Sequence, residues 1–173
     1  MKQSKIIAIA SLTTALSIIF LLLGAYIDVM DLSCLLIASV IMMIPLAKGS
    51  VKCAFFAYGA TSLLSLIFTM GVGKFSITAL YVVFFGLHPI INYLATSKKW
   101  NKILLFIIKD VWFILTLLLM YFAFTLFTDM PEFFEKYAIF IIILGGAILF
   151  VPYDFALKRF QKLTNQIITR IKL

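Results

Sequence analysis

The sequence predicts an all-α membrane protein: a bundle of six transmembrane helices, both termini in the cytoplasm, with a basic amphipathic C-terminal helix. Three observations carry this expectation. Hydrophobic residues make up 64% of the chain, against roughly 45–50% in soluble domains, and a soluble fold of this length cannot bury so much. The apolar residues also fall into six runs, 6–27, 32–47, 51–70, 75–94, 103–127 and 137–155. A hydrocarbon core of ~30 Å takes about 20 helical residues to cross. Finally, basic residues crowd every second loop. Barrel strands are excluded, because they alternate in polarity and are only about 10 residues long.

The runs are read in order. Lys2 and Lys5 precede the first, as in a signal peptide, but the run exceeds an h-region of ~7–15 residues and is expected to stay as an uncleaved span. The second is short, so Lys48 must snorkel to help it cross. The third carries the small ridge Cys53, Ala57 and Thr61. The fourth contains Gly86-Leu87-His88-Pro89. Pro89 cannot donate to the carbonyl of Phe85, and Gly86 lets another backbone approach, so a kink is predicted with its freed carbonyl facing protein. The fifth holds Lys109 and Asp110. After the sixth, Leu157, Phe160, Leu163, Ile167, Ile168 and Ile171 recur at helical spacing with cations between them. Residues 1–156 thus read as the membrane domain, and 157–173 as a cytoplasmic tail lying on the anionic inner leaflet or docking a partner.

Orientation follows from charge. Lys2, Lys5, Lys48, Lys52, Lys98, Lys99, Lys102, Lys158, Arg159, Lys162, Arg170 and Lys172 fall on one side, and only Lys74 and Lys136 on the other. The positive-inside rule puts the crowded side, and both termini, in the cytoplasm. The outer loop 128–136, with Phe133 and Phe134 beside Glu132 and Glu135, reads as an interfacial turn or as a lid over an outward-facing pocket.

The net charge of +8 does not point to nucleic acid, because the cations sit between apolar runs rather than along one face. Cys34 and Cys53 lie within apolar segments without metal-binding spacing and read as buried small hydrophobes. Hydrolase and zincin motifs are missing from the sequence, so no enzyme, cofactor or metal is expected.

Several polar residues remain as candidates. His88 and Asn92 are four apart, on one helical face. His88 and Asp110 both fall about 10 Å from the cytoplasmic end at ~1.5 Å per residue, so they are placed to meet. Alternatively, 103–108 lies along the interface and Asp110 opens the true span, leaving Lys109 at the inner surface. Asp28 and Asp31 flank the first outer turn, where two carboxylates suit a cation, although an N-cap explains Asp31 equally. Ser11 with Ala15, and Ala10 with Thr14, are small-xxx-small pairs that permit close helix approach.

In its size, six helices, inner termini and first helix opening IIAIASLTTALSIIF, the chain resembles the S components, the substrate-capturing membrane subunits of energy-coupling factor uptake transporters. That family docks a transmembrane coupling subunit through Ala-x-x-x-Ala on the first helix, where this chain has Ser11-x-x-x-Ala15. The resemblance implies a docking face at Ala10, Ser11, Thr14 and Ala15, and two cytoplasmic ATPases as further partners. It also implies an outer pocket for a vitamin or similar micronutrient, drawing on Asp28, Asp31, Lys74 and Phe133. The polar cluster His88, Asn92 and Asp110 lies on the cytoplasmic half instead. Two other classes fit the same composition. One is a membrane scaffold holding cytoplasmic or cell-envelope partners through its basic face. The other is a lipid handler, with Lys98, Lys99, Lys109, Lys158, Arg159 and Lys162 at the inner surface.

Overall fold

A computed structural model describes residues 3–27, 29–71, 74–126 and 132–170, leaving aside the side chains of 132–136 and 169. Its regular elements are all helical. They are α1 (Gln3–Tyr26), α2 (Asp31–Ile41), α3 (Met43–Ala47), α4 (Val51–Met70), α5 (Ser76–Leu80), a π turn (Tyr81–Phe85), α6 (His88–Ser97), α7 (Lys102–Thr125) and α8 (Glu132–Arg170). Among the described residues, five stretches are long and apolar enough to cross a bilayer: Gln3–Tyr26, Val51–Met70, Ser76–Ser97, Lys102–Thr125 and Tyr137–Ile168. The second run, Asp31–Ala47, is shorter and divides at Met42. Pro45 accounts for the division, since it has no N–H to offer the carbonyl of Ile41 four residues back.

Two helix starts are built by side chains. Ser50 Oγ accepts from the backbone N–H of Cys53 at 3.3 Å, and Asn101 Oδ1 accepts from Ile103 and Leu104 at 3.0 and 3.4 Å. Each satisfies N–H groups that the first turn leaves without intrahelical partners. Because α7 begins at Lys102, Asp110 does not open that helix. Asp31 stands one residue inside α2 rather than at the cap, which is Met30. Its carboxylate still accepts from Leu32 N–H at 2.6 Å.

The chain forms two compact units, one comprising the chain up to Lys98 with the segment from Leu157, the other Lys99–Ala156. Within the first, α1 packs against α2, α4 and α5. The helix α4 shows the packing principle most clearly. It buries Cys53, Ala54, Ala57, Thr61, Ser62, Ser65 and Thr69 and exposes Phe55, Phe56, Leu63, Leu64, Ile67 and Phe68. Small and hydroxylic residues face inward while large apolar ones face outward. That inverts a water-soluble helix and is what a bilayer solvent selects. The expected ridge Cys53, Ala57 and Thr61 is fully buried. Thr14 Oγ1 donates to the carbonyl of Ala57 at 3.4 Å, and Cys53 Sγ to that of Ile6 at 3.3 Å.

In the second unit α7 and the first part of α8 run antiparallel. Gly146 faces Leu117, Phe150 faces Phe113 and Asp154 faces Lys109, each four-residue step along one helix matching four on the other. Equal steps of four are the ridges by which helices interlock.

The sixth run and the tail are one helix. At ~1.5 Å per residue its 39 residues extend about 58 Å, nearly twice the hydrocarbon thickness. The helix expected from 157 is thus continuous with the sixth run, because Pro152 lies inside α8 without ending it. The helix also begins at Glu132, so Phe133 belongs to its first turn rather than to a loop.

These contacts set contrasting outcomes for neighbouring substitutions on α4. Ala57→Leu places extra methylenes against α1 and is expected to cost about 1–3 kcal/mol. A methyl added at Gly59 meets nothing within 4 Å, so Gly59→Ala is expected to be neutral or stabilising by up to about 1 kcal/mol. Thermal unfolding of the two variants in one detergent checks both.

Candidate functional site

The feature around which the polar groups of the first unit gather is the interruption of the span Ser76–Ser97. The helix enters a π turn at Tyr81, where Gly86 N–H reaches five residues back to the Tyr81 carbonyl at 2.8 Å. It then tightens, with Leu87 N–H donating to Phe84 at 3.1 Å. This shift of register, followed by Pro89 in the first turn of α6, strips carbonyls of their helical partners. Other helices supply replacements. Tyr58 Oη donates to the carbonyl of Val82 at 2.7 Å, and Ser39 Oγ donates to that of Phe85 at 2.8 Å, fully buried. The span is thus interrupted just before Pro89, and the predicted protein-facing carbonyl at Phe85 is present.

Gly86 is required sterically. A Cβ there would lie 2.8 Å from Tyr58 Cδ2 and 2.9 Å from Tyr81 Cε1, so a side chain would displace the ring whose hydroxyl holds Val82. Below the turn, His88 is fully buried and stacks on Phe84 with centroids 5.0 Å apart. Asn92, 3% exposed, donates through Nδ2 to Gln161 Oε1 at 2.8 Å, which ties α6 to the C-terminal part of α8. Lys48 Nζ reaches the same segment, donating to the carbonyl of Ile168 at 3.3 Å.

Above the turn lies a buried group of hydroxyls. Thr13 and Ser17 come from α1, Thr61, Ser62, Ser65 and Thr69 from α4, Thr78 from α5 and Tyr81 from the π turn. Some are satisfied locally: Ser65 and Thr69 donate to carbonyls four residues back at 2.5 and 2.8 Å, and Thr69 and Thr78 hydroxyls lie 3.3 Å apart. The hydroxyls of Thr61 and Ser17 lie beside that of Tyr81. Yet Thr13, Ser17, Thr61, Ser62 and Tyr81 oxygens make no hydrogen bond of acceptable geometry among the described residues. Leaving a buried hydroxyl unsatisfied costs about 1–3 kcal/mol.

The second unit has its own polar element. Lys109 Nζ and Asp154 Oδ1 form an ion pair, with both residues 1% exposed and flanked by Phe113, Phe150 and Tyr153. This corrects the expectation that Lys109 sits at the inner surface: its ammonium is turned inward to a carboxylate. Asp110, one residue on, points elsewhere, and its Oδ1 is buried without a hydrogen-bond partner among the described residues.

No protein-family model, curated protein or solved structure matches the chain.

The remaining expected site residues divide as follows. Asp28 and the side chain of Phe133 lie outside the described residues. Asp31 is exposed and Lys74 partly so. Of the expected docking face, Ser11 and Ala15 are exposed, whereas Ala10 and Thr14 are half-buried, Thr14 against α4. Lys98, Lys99, Lys158, Arg159 and Lys162 are all exposed. His88 and Asn92 share a buried face, whereas Asp110 belongs to the other unit. Among the described residues no three His, Cys, Asp or Glu side chains are placed to hold a metal ion. Sequence reasoning passed over Asp154, Gln161, Ser39 and Tyr58. Asp154 had a usable signal, being the one carboxylate in the sixth run at a depth matching Lys109 on an antiparallel neighbour.

Two predictions follow from these contacts. Gly86→Ala is expected to destabilise by about 1–3 kcal/mol through overpacking against Tyr58 and Tyr81, measured as a fall in unfolding midpoint where Gly59→Ala shows none. Removing one partner of the ion pair, Lys109→Ala or Asp154→Ala, is expected to cost about 3–5 kcal/mol, whereas Lys109→Met with Asp154→Leu is near neutral. A double variant no more stable than either single one would show that burial, not pairing, governs the site.

Proposed function

We propose that this chain is a six-span cell-membrane protein with both termini in the cytoplasm. We further propose that it acts as the substrate-binding subunit of an energy-coupling factor type uptake transporter, for a vitamin or similar micronutrient. The observation that carries this reading is the polar interior of the first unit: an interrupted span with redirected carbonyls, beside hydroxyls buried within helices whose oily side chains face outward. Intramembrane polar groups and broken helices are costly, and they recur where a membrane protein receives a solute. A scaffold needs only the small-residue ridge by which α1 meets α4.

Other features support parts of the reading. Twelve of the fifteen basic residues fall on one side of the six runs, which supports inner termini. Counting Asp31–Ala47 as a span requires Lys48 to reach past the apolar edge. Ser11 and Ala15 face away from the chain's own packing, which leaves that face for a coupling subunit, with the ATPases engaged through it. The binding region shifts from the outer loops to the interrupted span, because the polar groups gather there. The exposed Lys158, Arg159 and Lys162 favour a second reading, a scaffold or lipid-contacting protein working through its basic inner face.

Affinity purification from native membranes in mild detergent, with mass spectrometry, decides between them. The transporter reading expects two ATPase subunits and a larger membrane subunit in stoichiometric yield, lost in Ala15→Leu while that variant retains its unfolding midpoint. Recovery with cell-envelope enzymes or anionic lipid, and without any ATPase, would replace it with the second reading.

A further inference from the structure

The hydroxyl group above the π turn has two populations. Ser65 and Thr69 rest on carbonyls of their own helix, the usual way a helical Ser or Thr is satisfied in an apolar medium. Thr13, Ser17, Thr61, Ser62 and Tyr81 do not, although Thr13, Ser17, Thr61 and Tyr81 are 0% exposed and Ser62 7%. They come from three elements, α1, α4 and the π turn, and the π turn is what brings the Tyr81 phenol beside Thr61 and Ser17. Tyr81, Thr61 and Ser17 meet there from three elements, with Thr13 and Ser62 buried on the same helices, and hydroxyls gathered in this way suit a guest that supplies both donors and acceptors.

The charge of that guest is constrained as well. Lys5 and Lys52 are the charged residues on the described parts of these elements. Both are exposed and stand in the first turns of their helices, away from the mid-helix hydroxyls. An ion would enter with no counter-charge on the elements that carry the hydroxyls, which a low-dielectric interior penalises heavily. A neutral guest meets no such penalty.

We propose that Thr13, Ser17, Thr61, Ser62 and Tyr81 form an internal site for a small uncharged guest that both donates and accepts hydrogen bonds. Water fills it in the resting protein, and the neutral polar part of the substrate displaces that water. The word substrate rests on the transporter reading above; the site itself does not.

Radiolytic hydroxyl-radical footprinting of the full chain in lipid nanodiscs tests this, because radicals generated from bound water label the side chains that water touches. Tyr81 is expected to be oxidised several-fold faster than Phe84, which is equally buried on the same turn. The label should fall to the Phe84 level in Thr61→Val with Ser17→Ala, and persist in Ser65→Ala, whose hydroxyl is already satisfied. Acetamide is expected to protect Tyr81 several-fold, and acetate, its charged counterpart of similar size, to leave the label unchanged. Tyr81 no more reactive than Phe84 in the wild-type chain would overturn the site. Equal or greater protection by acetate would overturn its neutrality, and labelling that neither probe lowers would overturn exchange with a guest. Labelling and acetamide protection without any copurified ATPase would keep the site and discard the transporter reading.

Discussion

The interruption of one span at Tyr81–Phe85 is possible only because hydroxyls from two other helices take the carbonyls it releases. In a bilayer interior no water is at hand to do so, and an orphaned carbonyl would cost more than the turn could return. Ser39 on Phe85 and Tyr58 on Val82 therefore act as structural conditions for the turn. They bring α2 and α4 to the interrupted helix, and Gly86 keeps the space in which the Tyr58 ring lies against its backbone. The hydroxyl group, the stacked His88 and the Asn92–Gln161 bond all take their positions from that junction.

The same constraint explains why the interior of the first unit is small and hydroxylic. Lipid tails are as apolar as leucine, so large apolar side chains gain little by turning inward and are used on the outside of α4. Close approach falls to Ala54, Ala57 and Cys53, and specificity to Ser and Thr. A helix packed this way can carry internal polar groups at little cost where they bond to their own carbonyls, as Ser65 and Thr69 do. The departures from that economy are confined to the neighbourhood of Tyr81.

How much of this was legible follows from the range over which each signal acts. Apolar runs and the release of the Phe85 carbonyl by Pro89 depend on residues within a few positions of one another, and the sequence displays them directly. Ser39 as the acceptor's partner lies 46 residues away, and Gln161 lies 69 from Asn92; nothing local marks either. Lys109 was read at the inner surface because 103–108 was taken to lie along the interface and its partner, Asp154, was not considered. The division of the second run at Met42 needed only Pro45, whose consequence four residues upstream outweighed the apolar continuity. The unbroken α8 went unread because Pro152 resembles a stop, although one missing N–H is tolerable in an apolar helix whose neighbours can take the freed carbonyl.

Asp154 also shows what a buried ion pair contributes in such a place. Its net effect on stability is small when measured against two apolar residues, since desolvation offsets most of the attraction. Its effect on register is not small. Gly146, Phe150 and Asp154 meet Leu117, Phe113 and Lys109 in steps of four, and sliding α8 by one residue turns the carboxylate about 100° away from the ammonium. Both charges would then be unpaired. Aromatic contacts such as Phe113–Phe150 tolerate a shift of that kind far better than a charge does. The pair thus excludes misregistered hairpins more than it strengthens the correct one.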